Sequence, residues 1–118
     1  MHEYPIHAHP HARPAPVSGQ VTGIACEKRP DGVLVHLRGE FGVDTVHLIT
    51  DAVRAWPADL IVIDLSQVSF TDSSLLHCLL DARVGHQLVL AGPLPHQLDR
   101  LFDITATRSL FTFAPDAE

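Results

Sequence analysis

The chain has 118 residues, which fits a single compact core of ordinary domain size. Its apolar content of 46% can fill that core, while 8 Lys/Arg against 14 Asp/Glu leave a formal charge of −6 and no basic stripe for nucleic-acid phosphates. No apolar run approaches the ~18 residues that cross a bilayer and the N-terminus lacks the apolar segment of a secretory signal, so a cytoplasmic chain without membrane contact is expected.

Residues 1–16, MHEYPIHAHPHARPAP, carry four prolines and four histidines without helical or strand periodicity, which predicts a mobile tail ahead of a domain at 17–118. His7, His9 and His11 alternate, so an extended chain points all three rings to one side, where they can chelate a divalent metal. With no carboxylate fixed beside them such an arm binds weakly and without selectivity, and neither a metal site nor a cofactor is assigned.

QVTGIACEKRPDGVLVHLRGE reads as two strands, about 20–28 and 33–39, joined by a turn at Pro30, Asp31 and Gly32. In GVDTVHLITDAVRAWP, Val46, Ile49, Val53 and Trp56 recur at helical steps, with Asp44 as the expected N-cap and Pro57 as the stop. LIVIDLS, from Leu60 and ending at Asp64, is a continuous apolar run of the kind buried on both faces of a sheet. A helix from about Ser73 to Val84 follows, with Leu76, Leu79, Leu80 and Val84 inward and Gly85 just past its end. QLVLAG gives another strand, PLPHQLDRLFDIT a helix with Leu94, Leu98, Leu101 and Phe102 inward, and SLFTF a last short strand. The predicted class is α/β, in the order β-β-α-β-α-β-α-β, with helical crossovers between parallel strands in a mixed sheet.

Cys26 and Cys78 stand far apart and outside any CxxC or Cys/His spacing, so they read as free thiols rather than zinc ligands. Glycine loops of the GxxxxGK or GxGxxG type are missing, which leaves nucleotide cradling unsupported. Chemistry in such a sheet gathers at the C-terminal strand ends, beside helix N-termini, and SFTDSSLLHCLL lies at one. There Asp72 or Ser73 can cap the helix, a role worth about 1 kcal/mol that requires no function. Ser73 and His77, four apart on one helix, have the spacing of a nucleophile and base, but GxSxG and an orienting carboxylate are missing, so no enzymatic activity is assigned. Phosphorylation of Ser73 would instead place roughly −1.5 to −2 charges where helix amides tolerate them, while repelling a partner that had buried the hydroxyl.

VLVHLRGEF, LIVIDLSQVSFTDSS and RLFDIT, in this order over most of residues 20–113, resemble the STAS domain, the fold of bacterial anti-sigma-factor antagonists. The resemblance implies a non-enzymatic partner switch. The serine after the aspartate is phosphorylated by an anti-sigma factor that is itself a serine kinase, and the unphosphorylated antagonist binds that kinase and frees the sigma factor. Ser73 would be the acceptor, Glu40, Gly42, Asp72, Ser73, Ser74 and Leu75 the partner surface, and a metal-dependent phosphatase would reset the switch. The alternative is a divergent STAS module that binds a protein partner without being phosphorylated. The chain departs from the family pattern at Leu75, where glycine is usual, and at Gly42, where an acid is usual. It also has a helix and turn after Ser74 about five residues shorter, and Thr105, Ala106 and Thr107 in place of TGL. Leu75 is expected either to project outward as an apolar anchor or to pack beneath the preceding loop.

Overall fold

The structure, a computed structural model, describes residues 2–5 and 22–117. Its six-stranded sheet has the spatial order of the sequence: β1 (His2–Pro5), β2 (Gly23–Arg29), β3 (Gly32–Phe41), β4 (Leu60–Thr71), β5 (Gln87–Ala91) and β6 (Thr112–Phe113). The first two pairings are antiparallel and the last three parallel. The expected hairpin forms with Arg29 opposite Gly32. A Cβ at Gly32 would lie 2.1 Å from the Leu60 carbonyl oxygen, so close approach to β4 demands glycine there.

The parallel strands are joined by α1 (His47–Ala55), α2 (Ser73–Ala82) and α3 (His96–Thr105). Each crossover steps in the same direction across the sheet, and right-handed connections then place all three helices on one face. Alternation follows from this one-sided cover: Val33, Val35, Leu37 and Phe41 of β3 and Ile61, Ile63 and Leu65 of β4 are buried against Ile49, Leu75, Leu79, Leu98 and Phe102 of the helices. Leu34, Val62 and Val89 point to the opposite face and are half-buried. Among the described residues no helix is long and apolar enough to cross a membrane.

Several expectations are corrected. His2–Pro5, expected within a tail, pairs with β2, because an open strand edge offers backbone partners to any extended segment whatever its side-chain pattern. The rest of that tail, with His7, His9 and His11, lies outside the described residues. β4 does not end at Asp64 but runs to Thr71, and it is fully buried on one face only. Its second half pairs with β3 alone, since β5 reaches only as far as Asp64, so the apolar run stops long before the strand does. Asp44 does not cap α1, whose N-cap position is Val46 without a side-chain hydrogen bond. Val84 lies beyond the end of α2 and is exposed, while Gly85 takes a positive φ of 85° in the following turn.

Candidate functional site

β4 delivers the sequence Thr71, Asp72, Ser73 to the C-terminal end of the sheet, where the chain turns into α2. Asp72 has extended backbone and is the N-cap: its Oδ1 accepts the Ser74 N–H at 2.8 Å, and its carbonyl accepts the Leu75 N–H at 3.2 Å. Ser73 is therefore not the cap but the first helical residue, and it is exposed. The carboxylate meets the amide it needs, and the neighbouring hydroxyl is left facing outward.

The loop between β3 and α1 forms the other half of the site. Thr45 Oγ1 accepts the Gly42 N–H at 3.0 Å and donates to the Glu40 carbonyl oxygen at 3.0 Å, while the Gly42 carbonyl accepts the N–H groups of Thr45 and Val46, both at 3.0 Å. These bonds explain the failed Asp44 cap, because the neighbouring hydroxyl already closes the turn that leads into α1. Thr71, the buried polar side chain of the strand, donates its hydroxyl to the Phe41 carbonyl oxygen at 2.8 Å and so ties the two loops together. Gly42 lies against Asp72, with the position of a Cβ only 3.0 Å from Asp72 Oδ2.

The expected site residues thus converge in space, with one exception. Glu40 and Ser73 are exposed, and Gly42, Asp72 and Ser74 are half-buried around them. Leu75 is corrected: it is fully buried in the core beside Leu76 and Leu79, so it offers no anchor to a partner. An inward α2 face composed of consecutive leucines leaves its first member no room on the surface. His77, one turn along α2, is exposed and shares no hydrogen bond with Ser73, so the two do not form a nucleophile and base.

Two exposed apolar side chains flank these segments, neither of them marked by a sequence motif. Val43 is 74% exposed next to Gly42, and Phe70, 46% exposed, lies two residues before Asp72 and opposite Glu40 on β3. The available signal was a large apolar residue beside a capping aspartate, but Phe70 alternates with Thr71 and so resembles an ordinary strand position. Glu40, Asp44 and Asp72 add three carboxylates to the segments that meet at this end.

A second polar cluster lies on the helix-free face of the sheet, one row along from Leu34 and Val62. His36 Nδ1 is 2.8 Å from Asp64 Oδ2, and His36 Nε2 is 3.5 Å from Glu27. Burial pushes the Asp64 carboxyl up, but hydrogen bonds from Ser66 and His36 outweigh it and hold the carboxyl below its ordinary range. Burial pushes the thiols of Cys26 and Cys78 up, which makes both poor nucleophiles. Among the described residues no group of three or more His, Cys, Asp or Glu could hold a metal ion.

A family model described as "Mlab, STAS domain" matches residues 24–107, well over half of the chain. The chain belongs to the STAS domain family. Two solved structures share its fold. One is an anti-sigma factor antagonist from Mycobacterium paratuberculosis, 21% identical, with a TM-score of 0.64 over 78% of this chain and 84% of that one. The other is the anti-sigma factor antagonist SpoIIAA in its unphosphorylated form, 19% identical, with a TM-score of 0.58 over 79% and 89% of the two chains. A search of curated proteins finds no match.

Proposed function

We propose that this chain is an anti-sigma-factor antagonist that works by partner switching. Unmodified, it binds an anti-sigma factor with serine-kinase activity; phosphorylated on Ser73, it lets that partner go. The observation that carries the reading is the placement of Ser73: an exposed hydroxyl at the first position of α2, beside a capping Asp72, in a fold shared with two antagonists. A phosphate there adds roughly −1.5 to −2 charges to a surface that already carries Asp72, Glu40 and Asp44. A partner covering Val43 and Phe70 would have to desolvate that charge, while the domain, whose core lies beneath, keeps its fold. The chain itself performs no chemistry in this scheme, and a metal-dependent phosphatase resets it in the cytoplasm.

A second reading, a STAS module that engages its partner irrespective of modification, is favoured by Gly42, which offers a partner no side chain where the antagonist pattern has an acid. Recovery of the partner from native lysate by wild type, Ser73→Ala and Ser73→Glu separates the two. Partner switching predicts an ATPase-fold kinase held by wild type and Ser73→Ala and lost by Ser73→Glu. Equal recovery by all three establishes the constitutive module instead.

A further inference from the structure

Gly42 has little room for a side chain. Its φ lies outside the left-handed region, so backbone conformation does not require it, yet a Cβ built on it would stand 3.0 Å from Asp72 Oδ2 and 3.6 Å from Asp72 Cγ. The Asp72 carboxylate is committed on its other oxygen to the Ser74 N–H at 2.8 Å, so a methyl group on Gly42 would press it by a few tenths of an ångström against the geometry that caps α2. On its far side Gly42 holds the start of α1, through its carbonyl to Thr45 and Val46 and through its N–H to the Thr45 hydroxyl. One contact therefore joins the capping of α2 to the entry of α1.

We propose that Gly42 is a positioning residue for the Ser73 switch: its bare Cα seats the Asp72 carboxylate, and through that seat a charge placed on Ser73 is felt at the start of α1 as well as at α2. An anionic group on Ser73 stands one residue from the Asp72 carboxylate and repels it from the Ser74 N–H that it caps. A displaced Asp72 moves against the Gly42 turn, and the surface presented by Val43, Asp44 and Thr45 changes with it. The glycine in place of an acid is, in this view, the seat of the capping aspartate rather than a lost contact. The importance of Ser73 rests on the switch reading above, but the mechanical link does not.

Amide exchange and chemical shifts of the full chain test the link without any kinase. Gly42→Ala is expected to speed exchange of the Ser74 amide about fivefold, the equivalent of one lost cap. In an Asp72→Ala background, where no carboxylate is left to press, the same Gly42→Ala substitution is expected to change Ser74 exchange by less than about twofold. Ser73→Glu is expected to shift the Gly42 and Thr45 amide resonances when Asp72 is present and to leave them in place in Asp72→Ala. An equal effect of Gly42→Ala in both backgrounds overturns the seat, and resonances at Gly42 and Thr45 indifferent to Ser73→Glu overturn the transmission. Failure of the phosphorylation reading would appear separately, as a wild-type chain that no recovered kinase modifies.

Discussion

Ala106 occupies the left-handed region at φ 57° and ψ 38°, where an L side chain crowds its own backbone. It ends α3 at the position where the STAS pattern has the glycine of TGL, so the departure read from the sequence is here a local strain. Ala106→Gly is expected to stabilise the chain by about 1 kcal/mol, a melting-temperature rise of roughly 4–8 °C by calorimetry. A decrease would mean that the Ala106 methyl contributes packing worth more than the strain it causes. Asp64 works through charge. Its folded carboxyl titrates below the unfolded value, so it stabilises the fold above the ordinary carboxylate range, and this contribution disappears as pH falls through the depressed value. Asp64→Asn is expected to be less stable than wild type near pH 7, with the gap shrinking below about pH 4 in denaturant titrations. A gap independent of pH would assign the loss to hydrogen bonds alone.

At the scale of the elements, the join between β3 and β4 decides the geometry of the site. Thr71 is buried with its hydroxyl on the Phe41 carbonyl, where the two strands are about to diverge into their loops. Thr71→Val keeps the shape and strands that carbonyl, which is expected to cost about 1–3 kcal/mol of stability. Thr71→Ser is expected to recover most of it in the same chemical denaturation, whereas equal losses for Val and Ser would show that the methyl, not the hydroxyl, matters. The helices and the hairpin were legible in the sequence because their signals are local: a three- and four-residue apolar stripe for α1, Pro57 after it, and Pro30-Asp31-Gly32 between β2 and β3. β1 and the extension of β4 were not, because both depend on a neighbouring backbone edge that leaves no periodicity in the segment itself. Capping behaved in between. Asp72 was readable as a cap, but the expected Asp44 cap was not formed, since the folded turn puts Val46 at the N-cap position of α1 with no side-chain hydrogen bond.

For the whole molecule, the sheet organises function by exposing one end. The helices cover one face, the strands ending in Phe41 and Thr71 bring their loops together, and the resulting surface joins Glu40, Gly42, Asp72 and Ser73 from segments about thirty residues apart. Asp72 as a cap, with Ser73 beside it, was legible because a strand, a cap and a helix follow in immediate succession. Val43 and Phe70 were not, since exposure of a large apolar side chain is a property of the assembled surface, and Leu75 was ambiguous until the rotation of α2 placed it in the core. The arrangement fits a binding surface whose charge is set by one hydroxyl. The direct test is to incubate the purified chain with ATP and the kinase it recovers, and to map phosphate by mass spectrometry in wild type and Ser73→Ala. The account predicts one phosphate on Ser73 in wild type and none in the variant, with release of the kinase accompanying modification; no phosphate on wild type, or equal incorporation in Ser73→Ala, would contradict it.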